Sequence, residues 1–392
     1  MSPEHLYILC HRYYDLDGKL PAIGGVETYI HCLSQLMLRQ GWQVTILQFG
    51  HAPLEKMLDS GCRLVLTTGL KHAELVLRQM MSERPGVVVY SDVACVPPRM
   101  EHPCIMLQHG IGWDYVHLPA SSSLMFRLKS IKYAFAIRRL FGAIVRYAST
   151  ADCVICVDTM FRNWLQIHSP TKGIWGANMR YIPNFAPLPD PRQLLPRWDG
   201  RPIRCICPRR FCFQRGVPVF GRVVRELAQE FPKVNFAFIG EGPSEPGIRS
   251  LLHGLSNVSI YARSYEQMEA EYLQAHLTVV PTLASEGTSL SCIEAMASGC
   301  AVLATTVGGL GNLVLPGFNG EFCQPSYDDL LTSTRRLLAS PARLRQLGDQ
   351  ARTTVEQSFS LQLWEERILD AIAFAQRRCA SPQSSYLEPD VG

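Results

Sequence analysis

The sequence predicts an α/β chain of two Rossmann-like, doubly wound domains facing each other across a cleft. Three observations carry this expectation. A strand, a Gly-rich loop, a helix and a second strand follow one another within the first 50 residues. A proline-dense stretch interrupts the chain near its middle, and the strand–helix alternation restarts beyond it. A length of 392 residues exceeds one ordinary core and suits two.

His5-Leu-Tyr-Ile-Leu-Cys10 reads as a buried strand. A helix opens at Gly24-Gly25, with Val26, Tyr29, Ile30, Leu33, Leu36 and Met37 at the spacing of one apolar face, and Gly41 ends it. Residues 43–49 form the next strand, and short apolar strands at 86–90, 104–108 and 152–157 extend a parallel sheet. Pro183, Pro187, Pro189, Pro191, Pro196 and Pro202 break helices and central strands alike, so the linker is expected at 186–202, after a first domain of 1–185. Beyond it, strands at 203–207, 234–239, 277–280 and 301–304 alternate with helices at 217–231 and 289–298. The second domain is expected over 203–360, followed by a helix at 361–378 that packs back toward the first domain. The Ser-, Pro- and Gln-containing tail at 379–392 is too poor in apolar residues to pack.

Composition narrows the function classes. With 47% hydrophobic and 18% charged residues the chain is globular rather than disordered. A net charge of +4 does not argue for nucleic acid, and no aromatic-and-basic recognition motif is present. The start of the chain lacks the pattern of a signal peptide, and the apolar runs fall short of a membrane span, so a cytoplasmic protein is expected. The fourteen cysteines are scattered through apolar runs and are expected to be reduced and buried. Cys153 and Cys156 have no second pair at zinc-site spacing, and no metal site is expected.

The chemistry concentrates in Glu286-Gly287-Thr288-Ser289-Leu290 and Glu294. Free amides at the start of the 289–298 helix favour an anion such as a diphosphate. A carboxylate beside such an anion is electrostatically poor, which suggests that Glu286 accepts hydrogen bonds from sugar hydroxyls and Glu294 from a ribose. A plainer alternative stands beside this one: Ser291-Cys-Ile-Glu294 fits a capping box, and Glu286 fits a solvated loop.

Glu286 and Glu294, with Glu-Gly-Thr-Ser-Leu after the first and Ala-Met-Ala-Ser-Gly after the second, resemble the paired-glutamate motif of family 4 retaining glycosyltransferases, the group 1 transferases of GT-B fold. Val307-Gly-Gly-Leu and Gly317-Phe-Asn-Gly320 resemble the same family. The resemblance implies an N-terminal acceptor-side domain, a C-terminal nucleotide-sugar-binding domain, and a sugar nucleotide that is substrate rather than cofactor. It also implies that Gly24 and Gly25 approach the donor's phosphates, which suits residues that offer amides without side chains. In Arg209-Arg210-Phe-Cys-Phe-Gln-Arg215-Gly216 it aligns Arg210 with the family's phosphate-binding arginine, while Arg215 stands where a lysine is usual. Both can neutralise a diphosphate, and the substitution adds a bidentate fork; a solvated basic loop is the alternative. His109 follows a strand and so lies at its ligand-binding edge; it looks like the family's active-site histidine, against a structural role. Asn184 matches a junction motif and is read as structural.

No residue pair reads as nucleophile and base, so catalysis is expected to rest on positioning and charge stabilisation by His109, Glu286, Arg210 and Arg215, with Gly24, Gly25, Gly287, Thr288, Ser289, Leu290 and Glu294 holding the donor. The resemblance implies transfer with retention to a glycan or lipid-linked acceptor, in surface polysaccharide or lipopolysaccharide assembly. Residues 115–150 carry no acidic residue but include Arg127, Lys129, Lys132, Arg138, Arg139 and Arg146. A helix over 124–148 would place Phe126, Tyr133, Ile137, Leu140 and Ile144 on one face, suited either to an anionic membrane surface or to packing on its own domain. The rival functions are a sugar-nucleotide epimerase and a non-catalytic binding subunit of the same architecture. A dehydrogenase is disfavoured, because the Gly24-Gly25 loop lacks the full dinucleotide fingerprint.

Overall fold

A computed structural model describes residues 4–22, 24–92, 95–96, 102–111, 138–168, 178–193, 198, 200–284 and 286–380. Two sheets dominate it. The first contains β1 (His5–Cys10), β2 (Gln43–Phe49), β3 (Leu54–Met57), β4 (Arg63–Thr67), β5 (Val87–Tyr90), β6 (Cys104–Gln108), β7 (Cys153–Cys156) and β8 (Met179–Tyr181). Their order is β3-β4-β2-β1-β5-β6-β7-β8, parallel except for the edge strand β3. The second contains β9 (Arg204–Pro208), β10 (Asn235–Ile239), β11 (Val258–Tyr261), β12 (Leu277–Val280), β13 (Ala301–Thr305) and β14 (Glu321–Cys323), in the order β11-β10-β9-β12-β13-β14. All its pairings are parallel.

The helices are α1 (Gly25–Arg39), α2 (Leu70–Glu83), α3 (138–150), α4 (Thr159–His168), α5 (Val217–Glu230), α6 (Glu245–Leu252), α7 (Tyr265–Gln274), α8 (Leu290–Ala297), α9 (Tyr327–Leu338), α10 (Pro341–Ser358) and α11 (Leu361–Ala380). They cover both faces of each sheet, which is why the central strands are mostly apolar and buried on both faces rather than alternating. In β1, Leu6, Ile8 and Cys10 enter one core while Tyr7 and Leu9 enter the other. In β13, Ala301 and Leu303 point to one side, Val302 and Ala304 to the opposite one.

The chain passes between the two halves at Ala186 and again at Ser360, and these crossings are tied together. Ala186 N–H donates to Phe359 O at 3.0 Å, and Leu361 N–H donates to Ala186 O at 3.0 Å. From there α11 returns to the first sheet, where Trp364, Ile368, Ala371, Ile372 and Ala375 share a core with Leu6, Ile8, Tyr29 and Leu33. The first core is therefore closed by the last helix.

Of the basic helix expected at 124–148, residues 124–137 lie outside the described residues, as does the tail from 381 onward. The described part is α3, whose Ile144 and Ala148 are buried in the first domain while Arg138, Arg139 and Arg146 are exposed. Its apolar face is consumed by the core. No helix among the described residues is long and apolar enough to cross a membrane. All fourteen cysteines are free thiols, most of them buried. Cys153 and Cys156 lie on opposite faces of β7 and cannot converge on one ion.

Candidate active site

In both sheets the strand order reverses beside the first strand of the domain, and open α/β sheets bind ligands at the carboxyl ends of the strands flanking such a reversal. In the second sheet the reversal lies between β9 and β12. Arg209 to Gly216 follow β9 directly and Pro281 to Ser289 follow β12, so two segments far apart in the chain are forced to meet.

Glu286 stands at that meeting point with a side chain 9% exposed. Its Oε2 accepts from Arg209, from Arg215 and, at 3.1 Å, from the Thr282 hydroxyl. Burial pushes this carboxyl up, but Arg209 and then Arg215 outweigh it and hold it below the ordinary range. Arg209 also donates to Ser289 Oγ at 3.0 Å, Ser291 Oγ at 2.8 Å and Thr282 Oγ1 at 3.0 Å. Arg215 is carried on the short turn Phe213–Arg215, closed by Gly216 at φ 70°. A Cβ there would lie 1.6 Å from Pro281 O, so only glycine lets the two loops approach this closely.

The N-cap of α8 is Ser289, and no side chain caps the helix: the Ser289 and Ser291 hydroxyls are engaged by Arg209. The capping-box alternative for Ser291 and Glu294 is thus not what forms; a box of that kind occurs at Ser264 and Gln267 on α7. Glu294 accepts instead from the Tyr272 hydroxyl at 3.0 Å, and burial raises its pKa to about 7.

The first domain meets this site at a seam of small residues. A Cβ on Gly25 would contact Leu290 at 3.4 Å, so the loop opening α1 faces the start of α8. A Cβ on Gly287 would lie 2.8 Å from His109 O, and one on Gly309 would lie 2.6 Å from Gly287 C. Thr288 is fully engaged here: its hydroxyl donates to Val157 O at 2.9 Å and accepts from Asn184 N–H at 2.9 Å, and its carbonyl accepts from Asn184 Nδ2 at 2.6 Å. Asn312 adds a second bridge, to the backbone amide of Thr159 at 3.0 Å and its hydroxyl at 2.7 Å.

His109 occupies the strand end but its ring packs inward, edge to face with Tyr29 at 5.2 Å. Its Nε2 is buried without a hydrogen-bond partner among the described residues, and burial pushes its pKa down to about 4. It is therefore a neutral imidazole. Gly25 and Leu290, and Gly287, Thr288 and His109, meet across the seam, while Glu286, Ser289 and Arg215 make their contacts within the second domain and Gly24 directly precedes Gly25. Arg210 does not join the carboxylate: it is exposed, and its neighbour Arg209 takes the buried position that sequence reasoning missed. Both arginines lie in the loop that leaves β9, beyond the strand's last residue Pro208, so strand alternation does not set their directions.

Comparison with known proteins agrees with this architecture. Residues 203–340 match the family described as glycosyl transferases group 1. Sucrose-phosphate synthase from Thermosynechococcus elongatus superposes with a TM-score of 0.76 at 17% identity, over 96% of this chain and all of the other. The chain is a GT-B-fold protein related to the group 1 glycosyltransferases. Anabaena HepE in complex with UDP is also similar to this GT-B protein, with a TM-score of 0.67 at 15% identity over 94% of this chain and 99% of the other. In sequence, the chain is 25% identical over 356 residues to a human phosphatidylinositol N-acetylglucosaminyltransferase polypeptide, covering 84% of this chain and 69% of that protein. A shorter stretch of 105 residues is 36% identical to lipopolysaccharide 1,2-N-acetylglucosaminetransferase from Salmonella typhimurium, covering 26% of each. The group 1 match spans the elements that bring Arg209, Arg215, Glu286 and Glu294 together, so the GT-B relationship covers the site as well as the fold.

Proposed function

We propose that this GT-B protein is a retaining hexosyltransferase that moves a sugar from a nucleotide-sugar donor to a glycan or lipid-linked acceptor. The observation that carries the reading is the juxtaposition, at one topological switch point, of an ionised Glu286, the guanidinium of Arg215 and the amide end of α8, opposite the Gly24-Gly25 loop. Arg215 and the helix amides suit a departing diphosphate, and the carboxylate suits donor hydroxyls. In this reaction the bond between the anomeric carbon and the diphosphate breaks, the acceptor oxygen bonds to that carbon on the same face, and its proton passes to the leaving phosphate. The cationic groups supply the charge stabilisation, so the reading calls for no metal.

Relatives named for phosphatidylinositol and lipopolysaccharide acceptors support a lipid-linked acceptor in surface-glycan synthesis. The exposed arginines of α3 and the basic sequence preceding it support a cytoplasmic protein that touches an anionic membrane surface. A thermal-shift panel with UDP, GDP, ADP, CMP and NAD tests the donor reading. A ligand at about 100 times its Kd adds roughly 2.7 kcal/mol of stability. A shift with one nucleoside diphosphate is expected; a shift with NAD alone sinks the reading. Release of free nucleotide from the sugar nucleotide without any acceptor would favour an epimerase.

A further inference from the structure

The ring of His109 is half-buried: its Nε2 is sealed, while the residue itself stands at the end of β6, on the edge that borders the cleft. The wall it leans on is aromatic. Tyr29, one turn along α1 from Gly25, meets it edge to face at 5.2 Å with the ring planes 86° apart. Behind Tyr29 stand Trp364, again perpendicular at 5.0 Å, and Phe185 at 6.1 Å, and these two pack on each other at 4.1 Å. All three rings are buried.

The supporting pair comes from the two places where the chain crosses between its halves. Phe185 directly precedes Ala186, and Trp364 lies one helical turn beyond Ser360 and donates its amide to Ser360 O at 3.1 Å. Ala186 is bonded to Phe359 and Leu361, on either side of Ser360. Tyr29 is therefore backed by the crossing itself, and α11 reaches His109 through two ring contacts.

Perpendicular ring pairs are favoured because the positive edge of one ring meets the negative face of the other, so the imidazole loses that contact if it turns. The Tyr29 hydroxyl makes no hydrogen bond to His109, which leaves the contact to the ring alone. Burial is the whole cause of the low imidazole pKa; the carboxyl groups of Asp158, against Gly110, and of Glu286, before Gly287, do not contribute to it. Whatever keeps water from Nε2 thus keeps the ring neutral, and a neutral imidazole, unlike an imidazolium, accepts a hydrogen bond from a hydroxyl.

We propose that Tyr29 is a positioning residue for His109, and that the aromatic pair at the domain crossing, Phe185 and Trp364, holds Tyr29 in place. The inference rests on the transferase reading above for what His109 does, and on the ring geometry alone for how it is held.

The test is side-chain NMR of the full chain, isotopically labelled at histidine, with His109→Gln assigning the signal. Wild type, Tyr29→Phe and Tyr29→Leu are titrated with pH. In the wild type His109 is expected to stay neutral between about pH 5 and pH 8, where accessible histidines titrate. Tyr29→Phe, which keeps the ring, is expected to match the wild type. Tyr29→Leu is expected to admit water to Nε2 and to raise the His109 midpoint by at least about one pH unit, toward the ordinary value of about 6.5. A residue that only fills the core would lower the melting temperature in Tyr29→Leu and leave His109 titrating as before. If Tyr29→Leu does not fold, Phe185→Leu, which removes the support behind Tyr29, is read in the same way. Three results overturn the inference: a wild-type His109 midpoint near the ordinary value, a midpoint unmoved in Tyr29→Leu, or one that moves as far in Tyr29→Phe. Failure of the wild type to bind UDP-glucose, GDP-mannose or ADP-glucose in isothermal titration removes the transferase reading, while the NMR still decides how His109 is held.

Discussion

Glu286 and Glu294 are chemically identical side chains, and their surroundings set them to opposite states. Glu286 has Arg209 and Arg215 against it and stays ionised below the usual carboxylate range; Glu294 accepts from the Tyr272 hydroxyl, and burial raises its pKa to about 7. An amide at 286 cannot balance two guanidiniums, so Glu286→Gln is expected to lower turnover by at least about 10²-fold while the circular dichroism spectrum stays native. Near-normal turnover in that variant is the outcome that removes Glu286 from the chemistry. Glu294 has a consequence in pH. Its folded pKa is raised above the unfolded value, so the folded protein holds a proton that the unfolded chain has released, and stability falls as pH rises from about 4.5 to about 7. Glu294→Gln is expected to flatten that slope and to melt higher than the wild type at pH 8. Parallel melting curves across the window would show that Glu294 is not protonated in the folded protein.

At the scale of elements, the seam between the domains depends on a few backbone approaches and one threonine. Thr288 carries three hydrogen bonds across it, so Thr288→Val, which keeps the shape and removes the hydroxyl, leaves Val157 O and Asn184 N–H unpaired. A loss of about 1–3 kcal/mol in urea unfolding is expected, mostly from those stranded groups. A variant as stable as the wild type would place the seam's strength elsewhere, in the Asn312 bridge. How legible these elements were in the sequence follows from their burial. β1, β2, β6 and β12 are mostly apolar and buried along nearly their whole length because both faces are covered, and the sequence locates their ends to the residue. The strands β3, β4, β8, β11 and β14 were not anticipated. Four of them are short or half-exposed, and β3 places the adjacent charges Glu55 and Lys56 between Leu54 and Met57 at a sheet edge, where propensity says little. The same holds at the site: the motif locates Glu286, Glu294 and Arg215, but which of Arg209 and Arg210 turns inward depends on how the loop leaves β9, and no spacing encodes that.

For the whole molecule, the path of the chain decides how it comes apart. The last helix completes the first core, and its Trp364 is 1% exposed, 5.0 Å from Tyr29 and 4.1 Å from Phe185 between ring centroids. Arg209, Arg215, Glu286 and Glu294, at the site proposed for the donor, are carried by the elements of the second sheet. Damage to the first core and ligation of the second sheet are therefore separable perturbations, provided the seam does not force both domains to unfold as one. Trp364→Ala leaves a cavity costing about 3–5 kcal/mol, all of it in the first core. Calorimetry of that variant is expected to show an early transition split from a later one, because a two-domain chain need not unfold in a single step. A bound nucleoside diphosphate should then raise the later transition and leave the early one in place. A single transition that shifts as a whole with ligand would mean that the Ala186–Ser360 crossing and the Thr288 seam couple the domains more strongly than either core resists unfolding.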